Sequence, residues 1–396
     1  MSSPLRLGFV SARWSSRDAE GRVWSEAGVV RLLDVFRAHF AELHVAMSLS
    51  PERLQLHDHV LELPPDRYHP LPWLPSVVGG IRKGPQAREV IREVEARCDA
   101  LIVQLPFAAP TALLGARKPR AYHVCADIVE VVRTSPHYQG WRKVPARGLA
   151  HAIDQLEARL IARDDSRLIA NGFELFERFG GADKGTGLVS ATLLDREVLS
   201  VPRTRPTGGP FRMLFVGYLR HEKGVGTLLE ACERLLRTST RPLELAVVGA
   251  SHSEDRGVTQ ALKSGLDALS SRMSVSFLGH KAFGPELFRC FADADVLVLP
   301  SLSEGTPRVL VEARAFGCPV VATRVGGIPT SVDDGVDGVL VPPGDAASLA
   351  SALELLVKDE GRRLQLAEAG VARARRHTVE AMAAQMIAEV ERAAGR

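Results

Sequence analysis

The sequence predicts an α/β protein of two domains, each with a doubly wound parallel sheet. The chain has 396 residues, and a domain commonly holds roughly 100–200 residues. Short β-branched runs alternate with helical patterns along almost the whole chain, which is typical of right-handed βαβ units. Two such series flank Val201–Pro210, a stretch rich in Pro, Gly and Thr without apolar periodicity. We therefore predict domains at 1–205 and 206–396 that face each other across a central cleft.

The first domain starts with a strand and repeats the strand–helix pattern. Its predicted strands are short apolar runs at Leu5–Val10, Leu43–Leu49, Val60–Leu63, Ala100–Leu105, Arg120–Cys125, Arg167–Ala170 and Leu188–Ser190. Its predicted helices lie near Ser25–His39, Pro85–Arg97, Pro145–Ala162 and Glu174–Phe179. We interpret Val10–Arg17 as the loop that leaves the first strand, and Pro64–Gly84 as a loop of an acceptor site or lid.

The second domain restarts the same alternation. Its predicted strands are Met213–Leu219, Leu245–Gly249, Val275–Leu278, Val296–Pro300, Val320–Thr323 and Val339–Val341. Its predicted helices lie near Gly224–Leu236, Val258–Leu269, Pro285–Phe291, Pro307–Phe316, Ala346–Val357 and Gly361–Arg375. A final amphipathic helix, at about 378–394, either completes this domain or crosses back onto the first.

Composition excludes several classes of protein. The formal net charge is only +3, which is too mild for a nucleic-acid partner but leaves weak attraction to an anionic membrane surface open. The five cysteines form no CxxC pair or metal-binding spacing, so we expect buried free thiols in a reducing cytosol. No signal peptide or membrane span is predicted. We expect a cytoplasmic protein, with peripheral membrane association left open.

The segment Val296–Pro343 carries the chemistry. A buried strand runs into a loop, and then Thr306 as N-cap and Pro307 as first helical residue are predicted to open a helix that Gly317 closes. The start of such a helix is an anion site. Glu304 and Glu312 lie about 12 Å apart at the helical rise, too far for the carboxylate pair of a glycosidase. This spacing suits the two ends of a nucleotide-sugar.

A second phosphate-binding element follows the first strand of the second domain. Lys223, after the strand and turn that contain Gly217, supplies a point charge for a diphosphate. Arg220 lies two positions after Tyr218, and residues i and i+2 point the same way on a strand. We therefore expect Arg220 to stand near Lys223.

Glu304–Glu312, with Gly326–Pro329, Asp337–Gly338 and Val341–Asp345, resembles the signature of retaining glycosyltransferases of the GT-B fold, specifically glycosyltransferase family 4. The resemblance covers nearly all of 211–390, whereas the first half matches only in outline. It implies two Rossmann-like domains and a nucleotide-diphosphate sugar as donor. It also implies that no metal or other cofactor is needed.

The resemblance also implies a role for each site residue. Glu304 would hold hydroxyls of the donor sugar, Glu312 would bind the ribose, and Lys223 would neutralise the leaving diphosphate. The remaining donor-binding candidates are Gly217, Gly305, Thr306, Val309, Leu310, Leu278 and His280. The family often has Arg where this chain has Tyr218, so Arg220 is a candidate substitute.

The acceptor side is less distinct. His123 ends a predicted strand and matches a family histidine that hydrogen-bonds the donor sugar; Asp127 would orient it or hold the acceptor. Gly28 opens a helical pattern and is the candidate for close backbone approach to phosphate. Asn171 and Gly172 follow another strand and are candidates for the edge of the cleft.

The resulting prediction is a retaining, metal-independent glycosyltransferase with a hydroxyl acceptor. A UDP-sugar is the default donor, and the acceptor is a glycan, a lipid-linked glycan or a small molecule. One alternative within the family makes a small soluble glycoside. A nicotinamide dehydrogenase is disfavoured because Gly185–Ser190 lacks the third glycine of the dinucleotide fingerprint. A non-catalytic sugar-nucleotide binder is disfavoured because Lys223, Glu304 and Glu312 are intact.

Overall fold

The computed structural model describes residues 3–54, 57–74, 77–115, 117–134, 143–188, 209–249, 256–281 and 284–395. The chain forms two compact units. The first contains Met1–Leu193 together with Val379–Arg396, and the second contains Leu194–Thr378. Most of the predicted linker, up to residue 208, lies outside the described residues.

The sheet of the first unit has the order β4-β2-β1-β6-β7-β8-β9, with β3 pairing β1 and β5. Its described strands are β1 (Ser3–Arg17), β2 (Val23–Ser25), β3 (Phe40–Leu49), β4 (His59–Val60), β5 (Tyr68–Leu71), β6 (Ala100–Leu105), β7 (Arg120–Val124), β8 (Ser166–Asn171) and β9 (Gly185–Leu188). All pairs are parallel except β1–β2 and β2–β4.

Helices cover both faces of this sheet. They are α1 (Ala27–His39), α2 (Val77–Arg82), α3 (Gly84–Arg97), α4 (Ile128–Thr134), α5 (Lys143–Ile161), α6 (Phe173–Arg178) and α7 (Gly181–Lys184), and the last helix of the chain, α15 (Val379–Ala393), joins them. Phe36 of α1 and Met386 of α15 pack into one core cluster with alternate strand residues. Ile91 of α3 and Leu160 of α5 pack into the cluster on the other face.

The second unit has a six-stranded parallel sheet of order β12-β11-β10-β13-β14-β15. The strands are β10 (Phe211–Val216), β11 (Leu243–Val248), β12 (Ser274–Gly279), β13 (Val296–Leu299), β14 (Val320–Thr323) and β15 (Val339–Val341). The described helices are α8 (Val225–Thr238), α9 (Arg256–Ser270), α10 (Pro285–Asp293), α11 (Arg308–Ala315), α12 (Ile328–Ser331), α13 (Ala346–Lys358) and α14 (Glu360–Ala374). Successive strands are added on one side of β10 up to β12 and on its other side from β13 onward, so the loops after β10 and β13 diverge and leave room for a ligand.

The final helix is anchored in the first unit by apolar and charged contacts. Val379, Met382 and Val390 are nearly or fully buried in the cluster that contains α1. Glu389 is completely buried and its Oε2 lies 2.9 Å from Nε of Arg167 on β8. The chain therefore leaves the first unit once and returns to it at residue 379.

The prediction of two parallel-sheet α/β domains is confirmed, and several local predictions are wrong. Val10–Arg17 is not a loop, because β1 continues to Arg17 by pairing with β3 and β2. Pro64–Gly84 contains β5, which pairs in parallel with β3 through Tyr68–Leu71, and all of α2. Among the helices that the structure describes, none is long and apolar enough to cross a bilayer.

Candidate active site

Lys223 and Glu304 meet at the carboxyl end of the second sheet. Lys223 lies in the short turn after β10, and Glu304 lies in the loop after β13. Nζ of Lys223 donates to Oε1 of Glu304 at 2.7 Å, and Oγ of Ser301 donates to the same oxygen at 2.7 Å. The Glu304 side chain is 8% exposed and that of Lys223 is 22% exposed. This places one cation and one carboxylate beside the start of α11.

Glycines allow the backbone segments to approach closely around this pair. Gly224 has φ +66°, and a Cβ there would lie 1.8 Å from the carbonyl oxygen of Pro300. Gly326 has φ +50°, and its Cβ would lie 1.8 Å from the carbonyl oxygen of Glu304. Any side chain at either position would push the loop after β13 away. The loop is tied further by Leu302 N–H, which donates to Glu222 O at 2.7 Å.

The start of α11 differs from the sequence prediction by one residue. Pro307 is the N-cap and no side chain caps the helix, so Thr306 is not the N-cap. Proline has no N–H to lose at this position. The first N–H groups of a helix have no intrahelical acceptor, which keeps this end suited to an anion. Gly317, at φ +68°, directly follows Phe316, the C-cap residue of α11, and so ends the helix as predicted.

Glu312 is a buried carboxyl group on α11. The residue is 8% exposed, and desolvation raises the pKa of its carboxyl, partly opposed by Arg308. Leu310 is fully buried, and its N–H donates to Pro307 O at 3.3 Å. The Leu310 side chain therefore cannot line an open site as predicted, whereas Val309 is half-buried.

A buried ion pair, which sequence reasoning missed, supports α11 from within the core. Arg314 is 1% exposed, and its Nη1 lies 2.6 Å from Oδ2 of Asp337 and 2.7 Å from Ser331 O. Burial lowers the pKa of Arg314 to about 10. Asp337 also lies 3.2 Å from Nε of Arg373. The Asp337–Gly338 motif was the available signal, although the sequence alone did not reveal its partner.

Arg220 is close to Lys223, but not for the predicted reason. β10 ends at Val216, so the strand alternation invoked for Tyr218 and Arg220 does not apply. Arg220 instead starts the turn that holds Lys223, with its guanidinium 5.4 Å from the Tyr218 ring centroid and 3.6 Å from Glu222.

The remaining donor-side candidates border the carboxyl ends of the strands. Gly217 N–H donates to Val248 O at 3.0 Å and so continues the β10–β11 pairing past the strand end. Leu278 is 39% exposed on β12, and His280, just after that strand, is exposed. Gly305 is exposed, its carbonyl accepts from Gly327 N–H at 2.8 Å, and Thr306 is half-buried.

In the first unit, His123 lies near the carboxyl end of β7 and is 3% exposed. Its Nδ1 is 3.2 Å from Nε2 of Gln104, and its Nε2 is 3.0 Å from Oδ1 of Asn171. Cys125 Sγ lies 3.7 Å from both ring nitrogens. Sequence reasoning missed Gln104 and Cys125 as partners, because neither belongs to a recognisable motif.

Asp127 does not orient His123, contrary to one prediction. Its Oδ1 accepts from the N–H groups of Val129 and Glu130 at 2.8 and 3.2 Å and so caps α4. Its Oδ2 accepts from Arg178. Gly28 lies in the first turn of α1 and is buried, so the expectation of a phosphate contact there stays a prediction.

Three aspartates of the sequence pairs Asp333–Asp334 and Asp164–Asp165 form ion pairs with arginines. Asp333 and Asp334 are paired with Arg373 and Arg324, respectively, and Asp165 lies 3.0 Å from Arg163. All five cysteines are free; three are buried, while Cys125 and Cys290 are half-buried rather than buried.

Comparison with known proteins finds a family model that matches much of the second unit. The model described as Glycosyl transferases group 1 matches residues 210–359. D-inositol 3-phosphate glycosyltransferase from Corynebacterium urealyticum is 32% identical over 202 residues, which are 51% of this chain and 46% of that protein. Glycogen synthase from Mycobacterium tuberculosis is 31% identical over 230 residues, 56% of this chain and 52% of that protein. The chain spans about half the length of the curated relatives it matches.

Two of the solved structures that resemble this chain cover nearly all of it. The Anabaena protein HepE in complex with UDP has a TM-score of 0.67 at 19% identity, covering 98% of this chain and 100% of that one. Sucrose-phosphate synthase from Thermosynechococcus elongatus has a TM-score of 0.69 at 21% identity, covering 98% of each chain. Residues 210–359 of the second unit are thus similar to the group 1 glycosyl transferases, and the two α/β units have the GT-B fold.

Proposed function

We propose that this chain is a glycosyltransferase that moves a sugar from a nucleotide-diphosphate donor to a hydroxyl group, with retention of the anomeric configuration. The observation that carries the proposal is the Lys223–Glu304 pair beside the start of α11, with Nζ and Oε1 2.7 Å apart. A cation and a helix N-terminus suit a diphosphate. The carboxylate of Glu304, beside this cation and helix start, suits the hydroxyl groups of the sugar, which would donate hydrogen bonds to it.

Glu312 supports the assignment of the nucleoside end. Its buried carboxyl is held on α11, and burial opposes its ionised form. A ribose presents two hydroxyls that donate to a carboxylate and thereby replace lost water. The two glutamates thus contact opposite ends of the donor, with the diphosphate at the helix start between them.

The proposed transfer uses cations where other enzymes use a metal. The bond between the anomeric carbon and the diphosphate oxygen breaks, and Lys223 with the helix N-terminus stabilises the charge on the leaving group. The acceptor hydroxyl attacks from the face that the diphosphate leaves, forming the new glycosidic bond. Its proton passes to the departing phosphate oxygen, so no enzyme nucleophile takes part.

UDP is the proposed nucleotide, since HepE was solved in complex with UDP and with UDP-glucose. The names of the curated relatives include a phosphorylated inositol and glycogen. They support a hydroxyl-bearing polyol or glycan as the acceptor class, and a small soluble glycoside is one product that this class allows. We propose a cytoplasmic location with, at most, peripheral contact with a membrane.

Thermal unfolding in the presence of separate ligands tests the proposal. A ligand at 100 times its Kd stabilises a fold by about 2.7 kcal/mol. We expect UDP to raise the melting temperature equally with and without EDTA, and ADP, GDP and NAD to act less. Stabilisation by NAD alone would exclude the proposal, and a requirement for a divalent cation would exclude its metal-free form. An inverted anomer in the product would exclude retention.

A further inference from the structure

A chain of four hydrogen bonds crosses four adjacent strands in the first unit, from the middle of β1 to the carboxyl ends of the other three. Arg13 N–H donates to Ser11 Oγ at 3.0 Å, and Ser11 Oγ donates to Gln104 Oε1 at 2.7 Å. Gln104 Nε2 lies 3.2 Å from His123 Nδ1, and His123 Nε2 lies 3.0 Å from Asn171 Oδ1. The strands are β1, β6, β7 and β8, neighbours in that order.

Donor and acceptor rules fix the direction of this chain. Ser11 Oγ donates its single hydrogen to Gln104 Oε1 and accepts from the backbone N–H of Arg13. The amide NH2 of Gln104 therefore faces His123, and an NH2 group cannot accept. Nδ1 of His123 must be the acceptor and carry no proton. Nε2 of the neutral ring then carries the proton and donates it to the carbonyl oxygen of Asn171.

Burial makes this arrangement demanding. Ser11, Gln104 and His123 are 0%, 7% and 3% exposed, so water cannot replace a lost partner. An imidazolium would direct a second N–H at the NH2 group of Gln104. Arg13 and desolvation also oppose the imidazolium, whereas a thiolate at Cys125 would favour it and raise the pKa of His123. The protonation state of His123 therefore has two alternatives. Either the neutral ring bonds to the amides of Gln104 and Asn171, or an imidazolium pairs with a thiolate at Cys125.

We propose that Gln104 and Asn171 are positioning residues that hold His123 as the neutral Nε2–H tautomer, with Ser11 fixing the orientation of the Gln104 amide. Cys125 is then a neutral thiol. If the proposed function holds, on which this second step rests, His123 offers its Nε2–H to a hydroxyl of a bound substrate. It exchanges Asn171 for that hydroxyl and does not act as a base.

Long-range 1H–15N correlation of the histidine rings in the full chain tests the tautomer directly, with His123→Asn assigning the signal. At about pH 7, near the ordinary histidine range, we expect one bare nitrogen, Nδ1, and a proton on Nε2. Gln104→Glu should protonate both nitrogens, because a carboxylate accepts from Nδ1–H. If that variant does not fold, Ser11→Ala should give a mixture of tautomers. A wild-type imidazolium, or a proton on Nδ1, would overturn the proposal.

Kinetics separate this proposal from the proposed function. With a transferable donor, Gln104→Glu should lower kcat about tenfold or more, with little change in donor KM. It should also introduce a limb in the pH profile that a merely structural residue would not produce. Absence of transferase activity together with the Nε2–H tautomer would sink the function but not the tautomer. Activity with an unchanged pH profile in Gln104→Glu would sink the donor role.

Discussion

The two units organise their carboxyl-end sites by opposite means. In the second unit, oppositely charged groups form pairs: Lys223 pairs with Glu304 beside the start of α11, and Arg314 of α11 pairs with Asp337. In the first unit, polar side chains are joined by hydrogen bonds. They form one chain through Ser11, Gln104, His123 and Asn171. The difference teaches that a site built to receive charge needs charge nearby, whereas a site that orients a ring needs fixed donors and acceptors.

The largest effect should come from the buried charges of the second unit. Arg314→Met leaves Asp337 with Arg373 alone, and breaking a buried pair commonly costs about 3–5 kcal/mol. We expect a loss of that order in the free energy of unfolding, measured by urea denaturation followed with a probe in each unit. Arg324→Met, which removes an exposed pair with Asp334, is the matched control and should change stability by less than about 1 kcal/mol. Equal losses of unfolding free energy in the two variants would contradict the expectation that the buried pair contributes more than the exposed one.

Removal of the site cation should be next. Lys223→Ala should lower kcat by about 10²–10³-fold, the usual effect of one missing charge-stabilising donor in an active site. The initial rate of sugar transfer measures it. Lys358→Ala removes an exposed lysine that pairs with Glu354 and should leave the rate unchanged. A rate within about twofold of wild type in Lys223→Ala would remove Lys223 from the mechanism.

A neutral group of the first unit gives an effect on stability that depends on pH. Burial raises the pKa of Glu157 to about 8, and its Oε1 accepts from Phe107 N–H at 3.0 Å. Between the unfolded pKa of 4.5 and about 8, the folded state keeps a proton that the unfolded state has lost, so stability falls as pH rises. Glu157→Gln should remove that fall, which is up to roughly 5 kcal/mol across the whole interval. Thermal unfolding at several pH values checks this. Glu174→Gln, at an exposed position, should keep the slope, and a wild-type slope in Glu157→Gln would show that Glu157 is ionised.

Nucleotide binding should show a smaller dependence on pH through Glu312. Its pKa is raised in the free protein, and ribose hydroxyls would favour the ionised carboxylate, so binding should release a proton. Affinity for UDP should therefore rise with pH, by at most about tenfold per unit, until the free group is ionised. Calorimetry in two buffers of different ionisation enthalpy counts the proton. Glu312→Gln should abolish the release; proton uptake in wild type would contradict this role.

The smallest effect should be at Asp127, where the structure replaces a predicted site role with a helix cap. Asp127→Ala should cost about 1 kcal/mol of stability, the usual value for a lost cap, and leave transfer rates unchanged. A loss of activity larger than the loss of stability would restore Asp127 to the site.

Sequence reasoning worked best where one strand–loop–helix segment carries the chemistry. Glu304, Glu312 and their loop are close in sequence, so periodicity and spacing located them. Lys223 lies 81 positions before Glu304, and only the order of parallel strands brings the two together. Gln104, His123 and Asn171 come from three strands without a shared motif. Their contacts depend on strand register, because a one-residue shift would move each side chain to the opposite face of the sheet. The extra pairing of β1 and the one-residue offset of α11 depend on backbone partners that the local sequence does not reveal.

The return of α15 to the first unit makes the second unit an insertion in the chain. Residues 194–378 interrupt a unit whose core includes Met382 and Met386. A chimera made by a single crossover near residue 193 would therefore combine one parent's strands with the other parent's closing helix. Grafting a foreign donor-binding unit onto this chain requires two junctions, near residues 193 and 379, so that native helix and native sheet stay together.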